Sequence, residues 1–234
     1  MGKLHYDTIT PLLRKVLKEI MASPIFEPFY LVGGTSLSLR LGHRMSVDID
    51  LFTNAPYGSL DFSVYEKFFQ ENYNHYYCAD TSNIVGFGRS YYVGESENNS
   101  IKVDLYYHDE IIDPCDVIDH IRIANLDDVV AMKVDVVSRG GRKKDFWDLH
   151  DLLTIYSIPQ MLDLHQQRHE YTHDRDQIIT NFVDFFSADE DIDPVCLKGK
   201  VWELIKLDFV ETISILTQRS QELDRSVKSP KKRI

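Results

Sequence analysis

The stretch LVGGTSLSLRLGHRMSVDIDLF, residues 31–52, decides how this chain is read. It begins inside a short apolar run, Phe29 to Val32, that has the character of a strand. The run stops at Gly33-Gly34, and Thr35 to Leu41 then looks like a short helix. Val47 to Thr53 alternates polar and apolar residues, as a half-buried strand does. A strand that ends in two glycines and runs into a helix can bring backbone N–H groups close to a phosphate. Residues two apart in a strand share a face, so Asp48 and Asp50 project together while Ile49 and Leu51 turn to the core. Two carboxylates that close resist joint ionisation unless a cation sits between them. Magnesium with nucleotide phosphates answers that need, because it takes oxygen ligands and keeps positions open for substrate. Taken singly, each feature has an ordinary reading: a tight turn for the glycines, a solvated strand face for the acids.

Upstream, Thr10 and Pro11 read as an N-cap and first helical position. Leu12, Leu13, Val16, Leu17 and Ile20 follow at helical spacing. Downstream, Tyr65 to Phe69 reads as helix. Tyr73 to Tyr107 is rich in aromatic and β-branched residues and is broken by glycines and by the polar run Gly94 to Ser100. It reads as two or three strands, the last from Ile101 to Tyr107. From Asp127 the character changes. One helix carries Val129, Val130, Met132, Lys133 and Val136 and ends near Arg139-Gly140-Gly141. A second runs from about Lys144 to Tyr156, and Pro159 to Leu223 carries only helical patterns. An α/β half is therefore followed by a helical half, with no internal repeat. The tail from Arg225 to Ile234 has five basic residues and no acidic one, and it is expected to be disordered because it has almost nothing to bury.

The 234 residues are 43% hydrophobic and 27% charged, which excludes a wholly disordered chain. The formal net charge of −11 excludes a uniformly basic nucleic-acid coat but not a local basic patch. No apolar run reaches the roughly 18 residues of a transmembrane helix, and the N-terminus lacks a signal core. Cys78, Cys115 and Cys196 lie far apart, which argues against a disulfide framework and a four-cysteine zinc site. The expectation is a cytoplasmic protein with reduced thiols and no membrane partner.

A third carboxylate lies in IKVDLYY, residues 101–107, where Ile101, Val103 and Leu105 alternate with Lys102, Asp104 and Tyr106. Asp104 joins the first pair if the two strands are neighbours. Three carboxylates beside a glycine turn are what two-metal phosphoryl or nucleotidyl transfer requires.

Residues 31–52 resemble the opening motifs of the AbiEii/AbiGii toxin family, which belongs to the polymerase-β-like nucleotidyltransferases. DVVAMKV (128–134) and RKKDFWDL (142–149) are similar to the family's later helical motif. The resemblance implies an α+β fold, with a polymerase-β-like mixed sheet and flanking helices followed by a C-terminal helical domain. The expected division is a nucleotidyltransferase core over 1–125, a helical domain completing the pocket over 126–224, and the basic tail 225–234. The resemblance also implies roles. Gly33, Gly34 and Thr35 would hold triphosphate. Asp48 and Asp50 would bind Mg2+, and Asp104 would be the third carboxylate and the candidate base. Arg44 and Ser46 would steady the phosphates or the loop before the Asp pair. Lys133 would reach the nucleotide phosphates, and Asp145, with Asp148 as a further candidate, would complete the pocket. Without the resemblance, Lys133 reads as a surface lysine, and Asp145 and Asp148 as acids favoured by a helix N-terminus.

Arg139, Arg142, Lys143 and Lys144 form a local basic cluster suited to an acceptor's phosphates, or else a solvated loop. His165, His169 and His173 recur every four residues. One helix through all three would put them on a face able to bind zinc. The glutamate of a metalloprotease motif is missing there. The function that follows from the resemblance is magnesium-dependent nucleotidyl transfer from a nucleoside triphosphate to RNA, with a tRNA 3′ end as the favoured acceptor, by the toxin of a bacterial toxin–antitoxin or phage-defence pair. Its protein partner would be an antitoxin. The alternatives are transfer to a small molecule such as an aminoglycoside, and a non-catalytic nucleotide-binding module.

Overall fold

The computed structural model describes residues 3–78, 86–108 and 111–228, with side chains through 219. In chain order the elements are α1 (Pro11–Ala22), β1 (Tyr30–Leu31), α2 (Gly33–Leu41), β2 (Asp48–Thr53), α3 (Phe62–Asn72), β3 (His75–Cys78), β4 (Gly88–Ser96), β5 (Asn99–Tyr107), β6 (Asp116–Ile118), β7 (Ile121–Ile123), α4 (Leu126–Ser138), α5 (Lys143–Leu152), α6 (Ile158–Arg168), α7 (Arg175–Asn181), α8 (Phe186–Asp189) and α9 (Trp202–Lys228).

The strands form one mixed sheet in the order β3-β4-β5-β2-β1-β7-β6. β2 runs parallel to β5 and β1 parallel to β7, and the remaining pairs are antiparallel. Alternation along β2 buries Ile49, Leu51 and Thr53 and leaves Asp48, Asp50 and Phe52 half-buried on the opposite face. Slipping this strand by one residue would drive both carboxylates into the core and lift Ile49 and Leu51 out of it. Each of those two side chains is worth about 1.5–3 kcal/mol of burial, so the register is strongly held.

Two apolar cores lie on the two sides of the sheet. The first joins α1 and α3 to Ile49, Leu51, Val103 and Leu105. Thr10 opens α1 as an N-cap, its side chain accepting from the Leu13 N–H at 3.1 Å, with Pro11 in the first turn. The second core combines Tyr30, Val32 and Leu37 with Val130, Trp147, Leu162 and Phe209. It therefore crosses residue 125, where Asn125 caps α4. The helical region rests directly on β1 and α2, and this brings α4 and α5 over the half of the sheet that carries the acids.

Several expectations change. The glycine pair does not stand ahead of the helix as a turn, since α2 starts at Gly33 itself. Residues 73–107 hold three strands among those described, within the expected two or three, with 79–85 outside the description. The short strands β6 and β7 were not foreseen, and at three residues each they are too brief to display a period. α5 ends at Leu152, ahead of Tyr156. α9 continues through 225–228, so the helix extends into the stretch expected to be disordered. Residues 229–234 lie outside the described residues. Among the described residues, no helix is long and apolar enough to cross a membrane.

Candidate active site

Parallel pairing of β2 with β5 sets Asp50 opposite Asp104 and Asp48 opposite Lys102. All four side chains line one cavity of about 350 Å³, together with Gly33, Gly34 and residues of α4 and α5. The acidic constellation is therefore a product of register between strands more than fifty residues apart in sequence.

Asp50 lies across the strand pair from Asp104 and two residues from Asp48. Burial, then the neighbouring Asp48 and Asp104 carboxylates, push its pKa up to about 7. A buried carboxylate in that condition is short of positive charge. Asp104 Oδ2 accepts from Lys102 Nζ at 2.6 Å, while its buried Oδ1 has no hydrogen-bond partner. Lys144 Nζ stands 3.7 Å from Asp48 Oδ2. Three carboxylates with an orphaned buried oxygen among them are an all-oxygen donor set suited to a hard divalent cation, and these residues fit Mg2+.

The glycines are explained by this crowding. Gly33 has φ +68°, and a Cβ there would fall 2.3 Å from Asp50 Oδ2. A Cβ on Gly34 would fall 2.5 Å from Arg44 Nη2. Only glycine lets the first turn of α2 sit this low over the acids. The N–H groups of that turn have no intrahelical acceptor, which makes the helix start a natural place for phosphate oxygens.

Thr35, Arg44 and Ser46 lie behind the cavity wall. Thr35 Oγ1 donates to the Asp48 carbonyl and meets Ser46 Oγ at 2.8 Å, tying α2 to the start of β2. The Arg44 guanidinium is bidentate on Asp148, through Nε at 2.7 Å and Nη2 at 2.8 Å. His43 Nε2 meets the same carboxylate at 2.6 Å. These three residues position the acids and the glycine turn and do not face the cavity.

Lys133 does line the cavity, with Asp145. Its Nζ is 2.6 Å from Asp145 Oδ1 and 2.9 Å from Asp148 Oδ2. An ammonium has three donors, so one remains beyond these two carboxylates. Burial presses the Lys133 pKa down, but the Asp148 and Asp145 charges outweigh it and hold the group above its ordinary value. Burial likewise pushes Asp148 up, and Lys133 and Arg44 overcome that, keeping it well below the usual carboxylate range. Asp145 Oδ2 also accepts from the Arg142 N–H at 3.1 Å, which caps α5.

The basic cluster divides. Arg139, Arg142 and Lys144 line the cavity, and Arg139 and Arg142 stand largely in solvent at its rim. Lys143 is buried away from it, paired with Asp193 at 2.9 Å and lying over the Trp202 ring. The three histidines do not share one helix: α6 ends at Arg168, His169 is its C-cap, and His173 folds back to meet His165 Nδ1 at 2.9 Å. Burial holds the His169 imidazole down to about 4, so it is neutral near pH 7.

Sequence reasoning did not single out Lys102, Phe52, Met132 or Asp135, all of which line the cavity. The signal for the first two was present, since Lys102 alternates in phase with Asp104 and Phe52 with Asp50. Met132 and Asp135 are three apart on α4, one helical turn, but which turn faces the sheet is set by packing.

Residues 15–214 match the family model described as nucleotidyl transferase AbiEii toxin, type IV TA system. The match takes in most of the chain, and the chain belongs to that family. The family's description is that of a nucleotidyl transferase. A curated relative, Uncharacterized protein aq_aa25 of Aquifex aeolicus (strain VF5), is 28% identical over 149 residues, 60% of this chain. The chain spans 65% of that relative's length, under two thirds of it. Two solved Helicobacter pylori chains, one of them JHP933, align at TM-score 0.56 with 20% and 18% identity. They cover 90% and 92% of this chain and 94% and 93% of their own. MenT4, a nucleotidyltransferase toxin of Mycobacterium tuberculosis H37Rv, aligns at TM-score 0.52 and 15% identity, over 86% of this chain and 83% of its own. These solved structures are alike in fold.

Proposed function

We propose that this chain transfers a nucleotidyl group from a nucleoside triphosphate to RNA, with a tRNA 3′ end as the acceptor, in a Mg2+-dependent reaction. It would act in the cytoplasm as the toxin of a toxin–antitoxin pair serving phage defence, restrained by a cognate antitoxin. The observation that carries the chemistry is the juxtaposition of Asp48, Asp50 and Asp104 on one sheet face under the start of α2. Bound Mg2+ supplies charge neutralisation for the attacking oxygen and the departing pyrophosphate. The chain's own groups do the rest. The first turn of α2 receives triphosphate oxygens, and Lys133 adds its remaining donor to them. The Arg44–Asp148 pair keeps Lys133 and the glycine turn in register. The exposed Arg139 and Arg142 at the rim give an acidic protein a positive landing place for a polyanion.

The direct test is incubation with each labelled triphosphate and either cellular RNA or small-molecule acceptors such as aminoglycosides, followed by sizing of the labelled product. Label in RNA of tRNA length supports the reading. Label in a small molecule gives the other acceptor class, and binding without transfer gives a nucleotide-binding module.

Triphosphate is expected to raise the thermal midpoint only in the presence of a divalent ion. At about 100 times the dissociation constant, mass action adds roughly 2.7 kcal/mol. Equal shifts with and without Mg2+ would show that the three acids do not gather around a cation.

Arg139→Ala with Arg142→Ala is expected to weaken RNA binding and flatten its salt dependence by about two phosphate contacts, since each such contact contributes about one to the slope. Triphosphate affinity is expected to change little. An unchanged RNA salt slope would remove these arginines from the acceptor path.

A further inference from the structure

A second cluster of metal-ligating side chains stands on the helical wall of the cavity, apart from the strand carboxylates. α4 contributes Asp135, the last turn of α6 contributes His165, and His169 caps α6. One donor atom from each lies within 4.8 Å of the others. His165 is 1% exposed. Its Nε2 is 3.6 Å from Asp135 Oδ1 and makes no hydrogen bond, and the buried Nε2 of His169 makes none either. Leaving a buried polar atom unsatisfied is costly, so two in one place call for a ligand.

The remaining valences are already used in a way that aims the free ones inward. With its Nε2 kept as a lone pair, His165 carries its proton on Nδ1 and donates it to His173 Nδ1 at 2.9 Å. A partner on the far ring nitrogen is what orients a metal-bound histidine. Asp135 gives Oδ2 to Arg139, which leaves Oδ1 for the rings.

We propose that Asp135, His165 and His169 form a transition-metal site of the zinc class, distinct from the Mg2+ site of Asp48, Asp50 and Asp104. Two imidazoles and one carboxylate suit zinc, whereas the strand acids offer oxygen alone. Donors around a tetrahedral zinc lie about 3.3 Å apart, so on loading the cluster contracts by at most about 1.5 Å. Three protein ligands leave a fourth position for water or another donor. Asp135 and His169 both line the cavity. The ion also pins α6 to α4, the helix that carries Lys133.

The test uses the full chain stripped of metal, then dialysed against Zn2+ with Mg2+ in excess, with bound metal counted by mass spectrometry and the thermal midpoint recorded. No nucleotide is present, so the result stands apart from any transfer assay. The parent and Asp50→Asn are expected to retain one zinc per chain and to gain stability from it. Outer partners of a metal site are worth about 10- to 100-fold in affinity, so loss of a ligand in His169→Gln or Asp135→Asn is expected to weaken zinc by about 100-fold or more. Circular dichroism of the metal-free variants identifies those that fold, and either one suffices. Absence of zinc from the parent overturns the proposal. Retention of zinc at parent affinity by a folded His169→Gln or Asp135→Asn does so too, as does its loss in Asp50→Asn.

Discussion

Asp50→Asn is expected to lower nucleotidyl transfer by about 100-fold or more while leaving the fold intact, because it removes a charge from the donor set that a divalent ion needs. The same change is expected to keep the thermal midpoint or raise it. Desolvation, and then two neighbouring like charges, push the half-buried Asp50 carboxyl up to about 7. A neutral amide of the same shape escapes both the desolvation and the repulsion. Activity and stability therefore move in opposite directions, a signature that a merely structural aspartate would not produce. Transfer at the parent's rate would remove Asp50 from the metal site. A sharp fall in the midpoint would mean that the amide disturbs the close approach of Gly33.

Asp148→Ala is expected to have the largest effect on stability. The side chain is fully buried and answers Arg44, His43 and Lys133 together. Removing one partner of a buried ionic network leaves the others uncompensated, at a cost of about 3–5 kcal/mol. For a chain of this size that lowers the thermal midpoint by roughly 6 to 20 °C. The acid limb provides a second reading. A carboxyl whose folded pKa is depressed contributes stability that is fully present above its unfolded value, near 3.9, and is lost as the pH falls through the folded value. The Asp148 carboxyl is held well below the ordinary value. The parent is thus expected to keep this contribution at pH 4 and lose it only in stronger acid, and the variant is expected to show a flatter acid limb. A midpoint within 2 °C of the parent's, an effect of about 1 kcal/mol or less, would show that the network adds little.

The two residues contrast in a way that local sequence does not reveal. Both are aspartates in segments that resemble family motifs, and both stand in contact with groups from other segments. Asp50 faces like charges and an orphaned oxygen, so it is suited to bind a cation. Asp148 faces cations already, so it is suited to hold a frame.

Much of the architecture can be read without coordinates, for physical reasons that are local. Val47 to Thr53 alternates strictly, so one phase of the strand must be buried, and Asp48 and Asp50 must share the other. Thr10-Pro11 ahead of a 3.6-residue apolar period marks the start of α1. Gly33-Gly34 before a helix signals a close backbone approach, although the helix takes in both glycines. The family and the class of chemistry are legible through the resemblance of residues 31–52, 128–134 and 142–149 to family motifs.

Local sequence thus carries the phase of β2 and β5, the start of α1 and the shared face of Asp48 and Asp50. Tertiary structure alone decided which of the polar residues meet. Asp104 joins Asp50 because β5 lies parallel to β2 in one register, a contact no local pattern encodes. Thr35, Ser46 and Arg44 turn behind the cavity because their partners, the Asp48 carbonyl and Asp148, are there. Lys143 leaves the basic cluster because α5 begins with it, and successive helical side chains point about 100° apart. His173 leaves the helix that carries His165, and Asp135 arrives from α4 in its place. Periodicity acts over a few residues along the chain. The charges of this site are matched across the sheet and between helices, where only the packing of the two cores sets the distances.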